Sequence, residues 1–409
     1  MRGFQDRTEV AAAVALLKAR LQGLPAELVS LVEAAGRVLA AEIRADVAVP
    51  SFDRAAMDGY ALRGNETFGA GFYNPLDFSV LGEVYPGRAP GVTVGPGQAV
   101  RIMTGAPLPP GADAVVQAEA TEEVDGPDGR RVRIVEPVPP GRHVGKLGED
   151  IARGTVVLSA GRLLRPQDLG VLASIGASPV PVVCRPRVVI LVTGDELLPC
   201  GAKPEGFRIV DSNSVMLAAL VQRDGGLSAS APLLPDHRDA VRAALVHAEA
   251  DAVLISGGSS VGQEDHAPRV LAEVGELCVH GVALRPAGPA GFGFLSGTPP
   301  RPVFLMPGNP VSCLCAYDLF AGPAVRLLGG RSADLPHRRA VLPLARKIVS
   351  AIGRIDYVRV QIHEGHVEPL ATSGAAILSS TTRADGFVLV PRDAEGFAPG
   401  TPVEVFLYD

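Results

Sequence analysis

The apolar residues at the start of the chain are spaced as in an amphipathic helix. Between Thr8 and Leu21 they recur at positions 10, 14, 17 and 21, and Thr8 can cap the first turn. The same kind of spacing predicts two more helices in the N-terminal half, at residues 28–43 and 166–173. Both ends of this half are therefore expected to be helical.

The pattern changes between residue 50 and about residue 142, where short β-branched runs are interrupted by Gly and Pro. These runs predict a small β module with strands at residues 78–81, 99–103, 114–118 and 132–135. The clearest hairpin turns at Asp125-Gly126-Pro127-Asp128-Gly129, because Asp-Gly steps supply the positive φ that a tight turn needs. We expect this module to be an insertion in the helical domain.

Strand and helix patterns alternate between residues 184 and 329. Strands are predicted at residues 187–192, 228–234, 251–256, 278–284 and 303–306, and helices at 213–223, 237–248, 265–274 and 310–328. This alternation predicts a largely parallel sheet covered on both faces, with ligands at the carboxyl ends of the strands.

The last 80 residues return to strand patterns, at residues 341–347, 357–362, 387–390 and 403–407. They predict a separate β-barrel-like module. The expected domains are a helical N-terminal domain (1–49 plus 143–183), an inserted β domain (50–142), an α/β domain (184–329) and a C-terminal β-barrel domain (330–409).

Composition narrows the classes of function. The 409 residues include 38 Lys and Arg against 44 Asp and Glu, so no global basic field favours nucleic acid or an anionic membrane. Trp is absent and aromatic residues are 5%, which argues against base-stacking surfaces. The start of the chain lacks a signal-peptide pattern, and the apolar runs are shorter than the ~20 residues that span a bilayer. We expect a cytoplasmic protein that acts on small molecules.

The five cysteines, Cys184, Cys200, Cys278, Cys313 and Cys315, contain no C-x-x-C pair, and their odd number is a poor basis for a disulfide framework. They are expected to be buried thiols.

Two Gly-containing loops follow predicted strands of the α/β domain. Thr193-Gly194-Asp195-Glu196 follows the first strand, and Ser256-Gly257-Gly258-Ser259-Ser260-Val261-Gly262 follows the third. Glycine lets backbone N–H groups approach an oxyanion closely, and the next helix adds its positive N-terminus. Both loops therefore suit a phosphate group.

Five acidic residues fall at strand-to-helix junctions of the same domain: Asp195, Glu196, Asp211, Asp236 and Asp265. Several carboxylates at one sheet edge can converge on a hard cation such as Mg²⁺. The alternative is that acids at helix starts simply cap the helices, and Asp211 is the best candidate for a cap alone.

Other segments combine polar residues with turn residues. Pro307-Gly308-Asn309-Pro310 is either a stiff helix start or a third wall of the ligand pocket. In the N-terminal half, candidate functional loops are residues 50–61, 101–107, 111–113 and 148–150.

Taken together, these segments resemble the molybdopterin molybdenumtransferases, the family of MoeA and of the gephyrin E domain. The resemblance runs in order from about residue 8 to the C-terminus. It rests on these segments: Pro50-Ser51-Phe52-Asp53, Ala56-Met57-Asp58-Gly59-Tyr60-Ala61, Arg101-Ile102-Met103-Thr104-Gly105-Ala106, Gly111-Ala112-Asp113-Ala114-Val115-Val116, Gly148-Glu149-Asp150-Ile151, Thr193-Gly194-Asp195-Glu196-Leu197, Asp211-Ser212-Asn213, residues 257–262 and Pro307-Gly308-Asn309-Pro310-Val311-Ser312.

The resemblance implies an α/β multidomain fold: a helical domain interrupted by a β insertion, a three-layer α/β molybdopterin-binding domain and a C-terminal β-barrel. It implies an elongated homodimer that converts adenylylated molybdopterin and molybdate to molybdenum cofactor, with release of AMP, in the presence of Mg²⁺. A molybdopterin adenylyltransferase is a candidate partner, while nucleic acid and membrane are not expected as partners.

The resemblance also suggests roles for individual residues. The candidate catalytic residues are Asp58, Thr104, Asp150, Glu196, Asp236 and Asp265. Asp58 and Thr104 would act across the dimer, Thr104 by contacting an oxyanion, while Glu196, Asp236 and Asp265 would bind the metal ion. The candidate substrate-binding residues are Thr193, Gly194, Asp195, Ser256, Gly257, Gly258, Ser259, Ser260, Arg285, Pro307 and Pro310.

One segment departs from the family pattern. Where the family carries lysines, at positions 281 and 288, this chain has Gly281 and Gly288, and only Arg285 keeps a cation. Arg does not replace Lys at a tight oxyanion site. One alternative that therefore stays open is a diverged paralogue that binds molybdopterin or cofactor without inserting metal. A second is a molybdopterin adenylyltransferase, because the Thr193–Glu196 and 257–262 loops resemble those of the related adenylyltransferases. The β insertion and the C-terminal module weigh against the second.

Overall fold

The structure is a computed structural model that describes residues 7–126, 129–260, 265–371 and 374–408. The chain forms two compact units. The first contains Met1–Leu28, Gly36–Ala40 and Pro181–Asp409, and the second contains Val29–Ala35 and Ala41–Val180.

A six-stranded sheet is the centre of the first unit. Its strand order is Leu227–Ser230, Arg187–Val192, Ala252–Ser256, Arg301–Met306, Gly291–Leu295 and Gly275–His280. The first four strands are parallel, whereas the last two run antiparallel to their neighbours. The sheet is therefore mixed. The single strand predicted at residues 278–284 is wrong, because its first part ends at His280 and Leu284–Arg285 pairs with the C-terminal sheet.

Alternate residues of the central strands enter two apolar cores, one on each face of the sheet. Ala252 and Leu254 belong to one core, and Val253 and Ile255 to the other. Burial on both faces explains why these strands are continuously apolar. The helices of this sheet are Asn213–Arg223, Arg238–His247, Ala267–Val274 and a continuous helical segment formed by Pro310–Ala316, the π-helical turn Tyr317–Ala321 and Gly322–Leu328.

The N-terminal helix, Val10–Arg20, packs into the first of these cores through Val10, Ala13 and Leu17. The sequence pattern placed it correctly to within two residues. It belongs to the first of the two compact units.

The segment Pro310–Leu328 is the one helix among the described residues that is long and apolar enough to cross a membrane. However, 94% of its most apolar window is buried inside the fold, as in the core helix of a globular protein. It also carries buried Asp318, which accepts a hydrogen bond from the Tyr357 hydroxyl (3.0 Å) and one from Arg223 (2.9 Å). The bond from Tyr357 connects the helix to a C-terminal strand, and the bond from Arg223 connects it to the helix Asn213–Arg223.

The C-terminal strands form a second sheet in the same unit. Its strand order is Leu284–Arg285, Ile355–His363, Gly386–Val390, Pro402–Leu407 and Arg338–Pro343, and His366–Ala371 pairs with Ile355–His363. The strands predicted at 357–362, 387–390 and 403–407 are confirmed, whereas the one predicted at 341–347 lies three to four residues earlier, at Arg338–Pro343. A single bridge joins Leu344 to Val367 across the remaining gap. The short elements nearby are Ile348–Val349, Gly396–Phe397 and the helix Ser379–Thr382.

The second unit contains the predicted β module. Its six strands lie in the order Ala114–Gln117, Gly59–Leu62, Gln98–Ile102, Leu76–Val84, Gly129–Ile134 and Thr121–Gly126. The last two strands form the predicted hairpin, whose turn residues Pro127 and Asp128 lie outside the described residues. Short 3-10 helices occur at Gly64–Thr67 and Ala118–Ala120.

The helix predicted at residues 28–43 is wrong. The chain forms the short strands Ala26–Val29 and Ile43–Arg44 there, and these pair with Val180–Val183 and Val156–Leu158. Gly36, with φ of +68°, lies in the turn between them. Ladder pairing with distant strands has overridden the local helical spacing. Two more pairs of short strands are Arg54–Ala55 with Val144–Gly145, and Leu197–Leu198 with Ile209–Val210.

All five cysteines are free thiols. Cys313 and Cys315 are fully buried, and burial raises the pKa of Cys313 to about 12. Cys200 is exposed, which corrects the expectation that all five are buried.

The predicted helix at residues 166–173 is confirmed as Pro166–Ser174, and a buried carboxylate holds its N-terminus. Asp168 accepts hydrogen bonds from the Arg162 guanidinium (2.7 Å) and from the Arg165 guanidinium (3.1 Å) and backbone N–H (3.0 Å). These donors hold the pKa of Asp168 well below its usual range.

We expect Asp168→Asn to lower the free energy of unfolding by about 2 kcal/mol at pH 7, because an amide cannot accept all of these bonds. Because the pKa is depressed in the folded state, this contribution is fully present above the pKa of an unfolded Asp, about 4, and is lost progressively as the pH falls from there towards the lower pKa of the folded state. Urea unfolding from pH 7 to pH 3 measures the difference. Asp46→Asn, at an exposed position, is the control, and an equal loss in both variants would contradict the assignment.

Candidate functional site

A pocket of about 570 Å³ lies at the carboxyl ends of the parallel strands in the first unit. This volume is within the range of small-molecule sites. The described residues that line it are Val192, Thr193, Glu196, Leu197, Ile209, Val210, Asp211, Ser212, Asn213, Asp236, Ser256, Gly257, Gly258, Ser259, Ser260, Asp265, Pro289, Pro307, Gly308, Asn309, Pro310 and Ala376.

The loop that follows the strand Ala252–Ser256, called the Gly-rich loop below, presents backbone N–H donors to this pocket. Gly257 and Gly258 are consecutive residues with φ of +93° and +52°, and a Cβ on Gly257 would lie 2.2 Å from the Thr193 carbonyl oxygen. Within the described residues, no oxygen accepts from the backbone N–H groups of Gly258, Ser259 or Ser260. Backbone N–H groups need an acceptor, so the loop is suited to bind an anion. Val261 and Gly262, the end of the predicted motif, lie outside the described residues.

The side chain of Asn213 joins two loops of the pocket. Its Nδ2 donates to Ser256 Oγ (2.9 Å) and to the carbonyl oxygen of Gly308 (2.8 Å). The orientation of the amide follows from Gly308, because a carbonyl can only accept. Asn213 is 6% exposed, and its Oδ1 is buried without a hydrogen-bond partner. The Gly-rich loop and the 307–310 loop are therefore held to the same helix start.

Asp211 caps this helix. Its Oδ1 accepts from the backbone N–H groups of Asn213 (2.9 Å) and Ser214 (3.1 Å), and its Oδ2 accepts from the Ser214 hydroxyl. The cap predicted for Asp211 is therefore confirmed. It nevertheless lines the pocket, so it adds negative charge there.

Asp236 is also engaged in the structure of the site. It accepts a hydrogen bond from the Thr193 hydroxyl and one from the backbone N–H of Asp195 (3.3 Å). The Asp195 carboxylate accepts from the backbone N–H of Asp236 in return (3.2 Å). These reciprocal bonds hold the Thr193–Glu196 loop against residues 234–236. Asp195 and Gly194 support the pocket but do not line it.

Glu196 differs from Asp211 and Asp236. It lines the pocket and is exposed, and its carboxylate makes no hydrogen bond or ion pair with any described residue. It is therefore available to a ligand.

The three carboxylates predicted to bind a metal ion, Glu196, Asp236 and Asp265, all line the pocket. Among the described residues, however, no group of three or more Asp, Glu, His or Cys side chains is placed to hold a metal ion by itself. The described residues thus do not supply a ready-made three-carboxylate metal site. The oxygen donors fit Mg²⁺ bound through one or two carboxylates, with a substrate phosphate completing its ligands.

Arg285 is not in the lining of the pocket. Its guanidinium pairs with Asp356, which is fully buried in the C-terminal sheet. The ion pair removes this cation from the role expected for it, because its charge is already neutralised by a buried carboxylate.

In the second unit, Thr104 and Asp58 lie together. The Thr104 hydroxyl and its backbone N–H both donate to Asp58 Oδ1, each at 2.6 Å. These bonds lower the pKa of Asp58, the hydroxyl having the larger effect. Asp150 is exposed in a turn of the same unit, where its backbone N–H donates to the Val49 carbonyl oxygen (3.1 Å).

Sequence reasoning missed several lining residues. Asn213 and Asn309 lie in motifs that the sequence analysis identified, but neither was predicted to act in the site. An uncharged amide does not stand out in a sequence as an acidic or basic residue does. Pro289 and Ala376 are contributed by segments far along the chain. Ala376 reaches the site beside Ala375, whose carbonyl oxygen accepts from the Val311 backbone N–H (3.0 Å). No local pattern could have indicated that contact.

Comparisons with known protein families agree with this arrangement. Residues 8–176 match the model "MoeA N-terminal region (domain I and II)", residues 189–327 match "Probable molybdopterin binding domain", and residues 341–408 match "MoeA C-terminal region (domain IV)".

Individual relatives match along nearly the whole chain. A molybdopterin molybdenumtransferase 2 of Mycobacterium tuberculosis is 36% identical over 92% of this chain and 94% of its own. A molybdopterin molybdenumtransferase of Haemophilus influenzae is 32% identical over 93% of both chains. Two crystal structures of a molybdopterin biosynthesis MoeA protein from Pyrococcus horikoshii are 33% identical, with TM-scores of 0.84 and 0.81. They cover 98% of this chain and 99% and 100% of their own.

We expect Gly257→Ala to lower the free energy of unfolding by about 2–3 kcal/mol, because it adds a backbone clash to the strain of a left-handed residue. Gly201→Ala is the matched control: its φ is +91°, but no atom lies within 4 Å of the added Cβ. That variant is expected to lose about 1 kcal/mol. Urea unfolding compares the two, and equal losses would show that the close approach to Thr193 has no energetic importance.

Proposed function

The chain belongs to the MoeA family of molybdopterin molybdenumtransferases, and from this premise we propose that it inserts molybdate into adenylylated molybdopterin with release of AMP. The observation that carries the proposal is the pocket of about 570 Å³, in which the Gly-rich loop, Glu196 and the 307–310 loop meet at one sheet edge. Fold alone does not establish activity, whereas this combination of donors and carboxylates suits a phosphate anhydride.

We assign the phosphates of the substrate to the Gly-rich loop. The N–H groups of Gly258, Ser259 and Ser260 can stabilise negative charge that develops as the anhydride is cleaved. Ser256 and Asn213 would keep this loop at a constant distance from Gly308. Preorganisation of this kind lowers the barrier because the donors need not reorient during the reaction.

Glu196 is our candidate for direct action on the substrate. Its carboxylate can accept a proton from an attacking oxygen or bind a cation, since described residues do not occupy it. Asp236 is a positioning residue, because it orients Thr193 and the loop that carries Glu196. Asp265 is proposed beside the phosphates. Mg²⁺, when bound by one or two of these carboxylates, would neutralise phosphate charge.

We propose further that the protein acts as a homodimer, with Asp58 and Thr104 of one subunit completing the site of the other and Asp150 nearby. The support is the family resemblance together with the Asp58–Thr104 hydrogen bonds, which leave the threonine hydroxyl anchored at a charged loop. The finer family features are part of the same proposal: a cytoplasmic location, a barrel-like C-terminal module and a molybdopterin adenylyltransferase as donor.

One observation favours the alternative of a paralogue that binds without inserting metal. The described lining of the pocket has four carboxylates, Glu196, Asp211, Asp236 and Asp265, and no Lys, Arg or His. Such a pocket repels molybdate unless a cation offsets the charge. An adenylyltransferase is disfavoured, because the matches to the MoeA N-terminal and C-terminal regions flank the molybdopterin-binding region.

The deciding experiment incubates the purified protein with adenylylated molybdopterin, Mg²⁺ and molybdate, and measures AMP. We expect molybdate-dependent AMP release that falls about 100-fold or more in Glu196→Gln, because the amide can neither accept a proton nor bind a cation strongly. Glu205→Gln, at an exposed position outside the pocket lining, is the control and should be unaffected. Tight pterin binding without AMP release would favour the paralogue, and consumption of Mg-ATP would favour the adenylyltransferase.

A mixing experiment tests the shared site. Asp58→Ala and Glu196→Gln should each be inactive alone, whereas dimers reassembled from an equal mixture should recover about a quarter of wild-type activity. The reason is that half of the dimers are hybrids, and each hybrid contains one intact site of two. If the mixture stays inactive although native mass spectrometry detects hybrid dimers, Asp58 does not act across subunits.

A further inference from the structure

A second pocket, of about 320 Å³, adjoins the first. The described residues that line it are Ser260, Asp265, Pro268, Arg269, Ala272, Leu277 and His280. Ser260 and Asp265 line both pockets, so the two cavities meet at the end of the Gly-rich loop.

The two pockets differ in charge. The larger one carries four carboxylates and no basic side chain among its described lining residues. The described lining of the smaller one contains the guanidinium of Arg269, the imidazole of His280 and one carboxylate, that of Asp265. Since an oxyanion is repelled by carboxylates and attracted by a guanidinium, the smaller pocket is the more favourable of the two for a free anion.

Arg269 is available for this role. It is exposed, and within the described part of the chain it makes no ion pair and no side-chain hydrogen bond. Arg285, the arginine expected at the site, is engaged elsewhere, because it pairs with buried Asp356. Arg208 donates to the Leu197 carbonyl oxygen (2.8 Å).

His280 connects the second pocket to the Gly-rich loop. Its Nε2 donates to the carbonyl oxygen of Ser259 (3.1 Å), and a carbonyl only accepts, so this nitrogen carries the proton. The bond holds the Ser259–Ser260 peptide in place. The N–H of Ser260 has no acceptor among the described residues, and it belongs to a residue that lines both cavities.

We propose that this second pocket is the subsite of a tetrahedral oxyanion, held by Arg269 and positioned by His280 next to the main pocket. Two sources share this chemistry: molybdate, and the phosphate of AMP. The inference rests on the proposed function for the identity of these two ions, but binding of an oxyanion at Arg269 does not depend on turnover.

The experiment titrates molybdate alone, and AMP alone, into the wild-type protein and into Arg269→Gln, Arg269→Lys and Arg242→Gln. Arg242 is an exposed arginine on the neighbouring helix Arg238–His247 and lines neither pocket, so Arg242→Gln changes the net charge equally. We expect Arg269→Gln to weaken binding of one oxyanion by about 10-fold or more, Arg269→Lys to lose less, and Arg242→Gln to lose nothing.

The pattern of losses identifies the source. A loss confined to molybdate, with a matching rise in the KM for molybdate, assigns the subsite to molybdate, and a loss confined to AMP assigns it to the phosphate. Unchanged binding of both ions by Arg269→Gln, or an equal loss in Arg242→Gln, overturns the proposal. If wild-type protein binds an oxyanion through Arg269 but releases no AMP, the proposed function fails while the subsite stands.

Discussion

The candidate site depends on the hydrogen bonds of one buried amide, that of Asn213. Its Nδ2 donates to Ser256 Oγ, at the end of the strand Ala252–Ser256, and to the carbonyl oxygen of Gly308, which follows the adjacent strand Arg301–Met306. Each of these loops follows a strand whose position the sheet already determines. The hydrogen bonds of the amide fix the separation between the two loops. This separation determines the width of the space where a ligand would be bound.

Charge is the second constraint on the site. Four carboxylates line the main pocket, and one of them, Asp211, also caps the Asn213–Arg223 helix, whose N-terminus favours an acid. The result is a space that a polyanionic substrate can enter only with compensating cations. Among the described residues, the backbone N–H groups of the Gly-rich loop and the guanidinium of Arg269 are the sources of positive charge at the two pockets.

Several parts of the site were readable from local sequence. The Thr193–Glu196 loop, the Gly-rich loop and the 307–310 loop each follow an apolar strand, and parallel strands bring their carboxyl ends to one edge. The sequence did not indicate which of the acidic residues are engaged within the fold and which are available to a ligand. Asp195 and Asp236 looked equivalent to Glu196, yet their carboxylates accept each other's backbone N–H groups, and Arg285 looked available until Asp356 was found beside it.

The sequence by itself determined the order of the elements, the alternation of strands and helices between residues 184 and 329, and the family to which the chain belongs. These follow from short-range periodicity and from motifs that are continuous in the chain. Only the tertiary structure decided that the two ends of the 28–43 segment pair as short strands, that Gly291–Leu295 runs antiparallel to both of its neighbours in the central sheet, and which carboxylates remain available to a ligand. Each of these depends on pairing between segments that are not contiguous in the chain, and the free energy gained by such pairing leaves no trace in local spacing.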